Sequence, residues 1–317
     1  MIETKGLRKS FHVGKGRKAT TVDAVRGVDL KVGDAEIFGF LGPNGAGKTT
    51  TLRMLTTLLE PDGGEAVIAG ADLRSNPAGV RRLSGYVAQG GGTVDDATAR
   101  EELVLQARMY GIDKAEALRR AARALDAFQL TDFADRRCRT YSGGQRRRVD
   151  IALGVIHQPK VLFLDEPTVG LDPQSRARMW DEVRRLRDEG MTVFLTTHYL
   201  DEADALCDRI AIIDNGEIVA EGTPDDLKRE IAGDVVTVDV NGDGPRAAEL
   251  FGGSGFVRKL EVDPRGLRLY VDDSASAIPQ ILRALDGSGI EFGGMGLHRP
   301  SLDDVFLTKT GRSLRES

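Results

Sequence analysis

Over roughly the first two thirds of the chain, short runs of consecutive apolar residues alternate with longer stretches whose apolar positions recur at three- and four-residue steps. That alternation predicts parallel strands covered by helices, an α/β architecture. The runs at residues 36–41, 161–164, 193–196 and 209–213 stay apolar at successive positions. Strands buried on both faces have this pattern, so the four runs are expected to share one sheet. Between Ala97 and Gln158 the period becomes helical, with Leu103, Ala107 and Tyr110 and then Leu118, Ala122 and Leu125 at turn-length intervals. This stretch predicts a helical insertion.

The character changes again near Asp234. VVTVDV, helical PRAAELF, FVRKLEV, RGLRLYV, helical IPQILRALDGSG and IEFGGMGLH follow one another in a βαββαβ order. A small ferredoxin-like α+β domain fits that order. The predicted division is therefore residues 1–232, with the helical subdomain at about 97–158, and residues 233–317. The turn and charged helix EGTPDDLKRE are expected to close the first domain.

Composition narrows the function classes. A chain of 317 residues with 40% apolar residues can bury substantial cores. Its formal charge of −5 argues against broad electrostatic attraction to nucleic acid. Cys138 and Cys207 lie far apart, with no Cys or His spaced nearby as zinc ligands, which suggests a reducing compartment. No apolar stretch approaches the length needed to span a bilayer, and MIETKGLRKSF lacks a signal core. Membrane contact is then expected only through a partner.

Three segments carry chemistry. GPNGAGKT places Gly42, Gly47, Lys48 and Thr49 at phosphate-loop spacing directly after an apolar run. Glycines let backbone amides turn toward phosphates, Lys48 can neutralise them, and Thr49 can offer its hydroxyl to Mg²⁺. VLFLDEP ends a strand in adjacent carboxylates. Because side chains alternate along a strand, Asp165 and Glu166 can serve different tasks, Asp165 toward Mg²⁺ and Glu166 toward the attacking water. In YSGGQRRRVDIAL, Ser142, Gly143 and Gly144 precede a helix starting near Gln145, which makes a second anion-accepting terminus. Two such termini make sense if the second closes over a nucleotide held by another copy of the chain.

Together these residues resemble the nucleotide-binding subunits of ABC transporters over about residues 2–223. The resemblance implies an α/β ABC-type P-loop NTPase fold, a RecA-like sheet core with a helical subdomain, followed by the small ferredoxin-like domain. By position it implies that ATP is held by Gly42, Pro43, Asn44, Gly45, Ala46, Gly47, Lys48, Thr49 and Thr50, with Phe11 stacking on adenine. It also implies that Ser142, Gly143, Gly144 and Gln145 form the signature that meets the opposing nucleotide. Mg²⁺ would be held by Thr49, Gln89 and Asp165, and catalysis carried by Glu166, His198 and Gln89. Gly170, Leu171 and Asp172 would contact the opposing subunit. Taken singly, Phe11 is more often a core aromatic, Gln89 a surface residue and His198 a satisfied strand-end histidine; the joint spacing reverses that and carries the resemblance.

The ending RPSLDDVFLTKTG, with GYVAQ and AREELVLQARMYG, is similar to ATP-binding subunits of the daunorubicin-resistance type, exporters of drugs, antibiotics or lipid-like compounds. That similarity implies a head-to-tail homodimer on a separate membrane permease, peripheral at the cytoplasmic side of the membrane, with no nucleic-acid partner. A permease coupling helix would press near the Gln89 loop, and the C-terminal domain would set pairing. This chain has Gly90, Gly91 and Gly92 where the family has acidic and aromatic residues, which predicts a flexible loop. The basic segment HVGKGRK reads as a solvated hairpin tip or a phosphate contact. The rival reading is a soluble ABC-type ATPase acting on ribosomes or DNA. A single cassette without sustained heptads or a basic stripe disfavours it.

Overall fold

The structure, a computed structural model, describes residues 1–13, 20–231, 234–240, 244–263, 266–298 and 301–311. The predicted hairpin tip at residues 12–18 therefore lies mostly outside the described residues, as do Arg299 and Pro300 of the C-terminal motif. Two compact units divide the chain, Met1–Glu221 and Gly222–Ser317.

The first unit runs β1 (Ile2–Val13), β2 (Thr20–Val32), β3 (Ile37–Leu41), α1 (Lys48–Leu55), β4 (Gly63–Ile68), β5 (Ala71–Asp72), α2 (Pro77–Leu83) and β6 (Ser84–Val87). It continues with α3 (Ala99–Met109), α4 (Lys114–Ala127), α5 (Gly143–Val155), β7 (Val161–Asp165), α6 (Pro173–Asp188), β8 (Thr192–Thr197), α7 (Leu200–Leu206), β9 (Arg209–Asp214) and β10 (Glu217–Gly222). A six-stranded sheet has the order β10-β9-β3-β8-β7-β6. The four predicted apolar runs are its adjacent central strands β9, β3, β8 and β7, paired in parallel, and β6 joins them parallel to β7. Every residue of β3, β7 and β8 is buried, as consecutive apolar positions require. Phe194 of β8 sits among Phe38, Phe40 and Phe163, with ring centroids 5.6, 5.7 and 5.8 Å away. At one edge, Asn215 and Gly216 take positive φ between β9 and β10, as an Asn-Gly hairpin turn demands.

A second sheet, of order β2-β1-β4-β5, has antiparallel pairings and was not foreseen from the apolar runs. Its strands alternate buried and more exposed positions, so no continuous run marks them; β2 buries Val25, Val28, Leu30 and Val32 between exposed or half-buried neighbours. The predicted helical insertion comprises α3, α4 and α5. On α4 the buried face is Ala117, Ala121 and Leu125, one residue out of phase with the expected Leu118 and Ala122, both of which are exposed. Small alanines let α3 and α4 approach closely, which outweighs the larger apolar Leu118.

The second unit contains α8 (Pro224–Ile231), β11 (Asp234–Asp239), α9 (Gly244–Phe251), β12 (Val257–Asp263), β13 (Gly266–Val271), α10 (Ser274–Ser288), β14 (Gly294–His298) and α11 (Leu302–Thr310). Its sheet order β12-β13-β11-β14, antiparallel throughout, is the ferredoxin-like arrangement that the βαββαβ pattern predicts. Val236, Val238, Leu267 and Leu269 face Ala277, Ile281 and Leu285 in its core. The division falls between Glu221 and Gly222, earlier than the expected 232/233. Charged α8 packs on α11, with Leu227 buried and Lys309 paired to Glu230 at 2.6 Å, so it opens the second unit instead of closing the first.

Candidate nucleotide-hydrolysing site

The ends of β3, β6, β7 and β8 and the start of α1 converge on one cleft of about 180 Å³. It is lined by Asn44, Gly45, Gly47, Lys48, Thr49 and Thr50 of the predicted loop, together with Ala24, Gln89 and Glu166. The loop is threaded between two other strands. A Cβ on Gly42 would stand 2.3 Å from the Ile213 carbonyl oxygen, and one on Gly47, at φ 107°, would stand 2.4 Å from that of Ala24. Both positions therefore demand glycine. Pro43 and Ala46 close the turn, the Ala46 amide donating to the Pro43 oxygen at 3.2 Å.

Lys48 opens α1 and is 4% exposed. Its Nζ donates to the Gly42 and Pro43 oxygens at 2.7 and 3.0 Å and lies 3.4 Å from Glu166 Oε1. Burial pushes its pKa down, and the Glu166 carboxylate opposes that shift. Next to it, Thr49 Oγ1 donates to Asp165 Oδ1 at 3.1 Å, and Thr196 Oγ1 donates to the same oxygen at 2.7 Å. Asp165, the last residue of β7, is 2% exposed, so these hydroxyls fix its carboxylate.

Glu166 takes φ 45°, a left-handed conformation strained for a residue with a side chain. Its amide donates to Thr196 Oγ1 at 3.0 Å, which holds the residue there. The chain thus turns away after Asp165 and the two adjacent carboxylates separate: one toward Thr49, the other toward Lys48. Gln89 Nε2 donates to Glu166 Oε2 at 2.9 Å. His198 Nδ1 lies 3.2 Å from Oε1 without hydrogen-bond alignment. Gln89, Glu166 and His198, each predicted, thus meet at one carboxylate, although they come from three different strand ends.

The other predicted residues lie elsewhere. Ser142 caps α5 through reciprocal bonds with Gln145, at 3.2 Å to Ser142 Oγ and 2.9 Å from the Ser142 amide. Ser142, Gly144 and Gln145 line a separate depression with Arg148, Ser175, Arg178 and Met179, and no residue is common to the two clefts. Gly144 abuts Ser175 at the start of α6, while Gly143 is free of such crowding. Asp172 caps α6 by accepting from the Ser175 amide and hydroxyl at 2.9 and 2.6 Å, and those bonds lower its pKa. Phe11 does not line the cleft; it is exposed on β1, opposite Val22 of the strand whose Ala24 does.

Several participants were missed. Thr196, which orients Asp165 and Glu166, ends an apolar run in a Thr-Thr doublet that offered a signal. Arg147, 6% exposed, donates to the Ala88, Pro167 and Asp165 oxygens at 2.7, 2.8 and 3.2 Å. Within RRRVD nothing distinguishes it from its neighbours. The expected flexibility of the glycine run also needs correction: the Gly92 and Thr93 amides donate to Asp150 Oδ1 at 2.8 and 3.1 Å, so the loop is tied to α5.

A phosphate loop between a parallel strand and a helix, with an acid pair at the end of the next strand but one in the same sheet, defines a P-loop nucleotide hydrolase. The family model described as ABC transporter matches residues 25–169, and that for the C-terminal domain of ATP-binding proteins like DrrA1-3 matches residues 222–310. The chain is 45% identical to the daunorubicin/doxorubicin resistance ATP-binding protein DrrA of Streptomyces peucetius, over 98% of this chain and 92% of that one. It is 35% identical to the linearmycin resistance ATP-binding protein LnrL of Bacillus subtilis over the full length of both. With the Nod factor export ATP-binding protein I of Burkholderia thailandensis it shares 39% identity over 92% of this chain and 93% of the other. Among solved structures, a dimeric ATP-binding cassette in a post-hydrolysis state with ADP and Pi superposes with a TM-score of 0.63 at 27% identity, covering 70% of this chain and 98% of that one. The chain belongs to the ATP-binding subunits of ABC transporters, which are ATPases. Among the described residues no helix is long and apolar enough to cross a membrane.

Proposed function

We propose that the chain is the ATP-hydrolysing subunit of an exporter for a drug, antibiotic or lipid-like compound, working as a head-to-tail homodimer on the cytoplasmic side of a separate membrane permease. The observation that carries the catalytic part is the meeting of Lys48, Gln89 and His198 on the Glu166 carboxylate, beside the Thr49–Asp165 pair. Lys48 and the loop amides between Gly42 and Thr49 receive the phosphates of ATP, and exposed Phe11 offers a face for the base. The hydroxyl of Thr49 and the carboxylate of Asp165 are hard oxygen donors side by side, with the Gln89 amide near, a donor set that fits Mg²⁺. Bound there, Mg²⁺ would neutralise phosphate charge. Glu166 accepts a proton from the water that attacks the γ-phosphorus, and ADP leaves as the bond to its β-phosphate oxygen breaks. His198 stands against Glu166 Oε1, where it holds the reacting end of the cleft.

Ser142, Gly143, Gly144 and Gln145 lie outside this cleft and present a capped helix start of their own, which supports their role against the nucleotide of a second copy. The relatives are named for resistance to daunorubicin and doxorubicin, resistance to linearmycin and export of a Nod factor, and this supports a drug, antibiotic or lipid-like cargo. Affinity capture of the tagged chain from a mild-detergent extract of its native cells, with mass spectrometry and an ATPase assay of what is recovered, tests the reading. Recovery of a polytopic membrane protein with ATP hydrolysis is expected. Ribosomes or DNA-repair proteins without a membrane protein would overturn it.

A further inference from the structure

The loop that leaves Gln89 carries three consecutive glycines, yet side chains of α5 and α3 hold it along its length. Arg147 of α5 donates to the Ala88 oxygen at 2.7 Å, Asp150 accepts from the Gly92 and Thr93 amides, and Arg146 pairs with Asp95. From α3, Glu102 accepts from the Val94 amide at 2.5 Å. The fit at Asp150 is tight. Gly91 has φ 75°, and a Cβ there would stand 2.6 Å from Asp150 Oδ2. Successive amides converging on one anionic oxygen form an anion-accepting concavity, here filled by the chain's own carboxylate. Asp150 is 5% exposed, so that carboxylate has little water to turn to. Burial raises its pKa while the two amides and Arg147 oppose the rise.

Without these contacts a glycine run samples more backbone conformations than any other sequence, and Gln89 at its root would sample them too. Gln89 in turn places a hydrogen bond on Glu166. The same helix α5 begins at Ser142, and Arg147 also holds the Asp165 and Pro167 oxygens on either side of Glu166. One rigid element therefore carries the capped turn at one end and the anchor of the Gln89 loop along its side. We propose that Asp150 is a positioning residue for Gln89: by clamping the glycine turn to α5 it fixes the amide that contacts Glu166 and ties that amide to the helix bearing the Ser142 turn. The proposal rests on the reading of the cleft as the ATP-hydrolysing site.

The test compares Asp150→Ala, Asp150→Asn and Gly91→Ala in the full-length chain by MgATP turnover and by hydrogen exchange of the segment at residues 88–95. Asp150→Ala is expected to lower kcat about tenfold, within the range that small misplacements of reacting groups produce, with KM for ATP within about threefold. Amide protection at Gly92 and Thr93 should fall while that of α1 stays, and Asp150→Asn should restore part of both. Gly91→Ala, at a half-buried loop position, should give the same loss of kcat, and the double variant should lose no more than either single one. Turnover within twofold of wild type, or protection unchanged in Asp150→Ala, would overturn the clamp. If Asp150→Ala does not fold, Gly91→Ala decides by the same criteria. A wild-type chain that does not hydrolyse ATP would instead refute the functional reading, and the exchange measurement would still decide the clamp.

Discussion

Glu166→Gln separates charge from shape at the centre of the cleft. The substitution keeps the side-chain volume and adds little backbone strain, because Gln replaces Glu at the same left-handed φ of 45°. An amide oxygen can still accept from Gln89 or face Lys48, so the new side chain stays where Glu166 stood. Removing one member of a buried ion pair costs about 3–5 kcal/mol when the other is orphaned. Here Lys48 keeps its two carbonyl acceptors at 2.7 and 3.0 Å, so the stability loss should fall well short of that range. ATP affinity should stay within a few-fold, since Lys48 and the loop glycines are untouched. What disappears is the proton acceptor. A positioned general base contributes about 10²–10⁴ in rate, or roughly 2.7–5.4 kcal/mol of barrier. The expected phenotype is thus a kcat lowered at least a hundredfold with nearly native ATP binding, and an ATP-bound dimer that persists in gel filtration. Phosphate release at saturating MgATP and equilibrium dialysis with labelled ATP measure the two quantities. A kcat within threefold of wild type would remove Glu166 from the chemistry. A tenfold loss of affinity would show that it acts on the loop's integrity instead.

Lys48→Ala deletes an ammonium whose hydrogen bonds to phosphate, as bonds to charged groups, are worth about 1.5–3 kcal/mol each; two such bonds make ATP binding weaker by about a hundredfold or more in equilibrium dialysis, and a threefold change would contradict the assignment. Phe194→Ala empties the centre of the aromatic cluster on the six-stranded sheet, and a loss of about 3–5 kcal/mol is expected in urea unfolding of the first unit, whereas a loss under 1 kcal/mol would mean that the cluster collapses around the gap. Burial pushes the Cys138 thiol up from 9.0 to about 11. Between those values the unfolded chain releases a proton that the native chain keeps, so this group makes stability fall as pH rises through that window. Cys138→Ser should flatten that decline in urea midpoints taken across the alkaline range, and an unchanged slope would refute it. At pH 8 the buried Cys138 and Cys207 should resist iodoacetamide until the chain is denatured, and prompt labelling of the native protein would show that they are accessible.

The legibility of this chain follows from which physical requirements leave a one-dimensional trace. The central strands were visible because burial on both faces forces consecutive apolar residues, as at Ile37–Leu41 and Thr192–Thr197. Strands of the antiparallel sheet bury only alternate positions, and β1, with TKGLRKS in its middle, has too many polar residues to stand out. The small domain was legible from element order, since a βαββαβ succession has few ways to cover one sheet. Its boundary was not, because α8 is largely charged and its buried Leu227 is a weak trace of its packing on α11.

In the site, the same distinction separates what was found from what was missed. Gly42 and Gly47 sit where a Cβ would strike backbone oxygens of β9 and β2, and Lys48, Asp165 and Glu166 are charges at strand and helix ends, so each requirement selects a residue type that shows in a linear sequence. Thr196, Arg147 and Asp150 act through neighbours that are distant in sequence. Asp150 lies 58 positions from Gly92, and Arg147 lies between two arginines that point elsewhere, one to Asp95 and the other to the Phe128 oxygen. A triple glycine followed by polar residues predicts mobility only while its amides have no partner. The partner exists because α5 brings Asp150 against it, and Gly91, without a Cβ, lets the carboxylate approach. The residues that looked like slack in the chain are therefore what allow the Gln89 loop to be held.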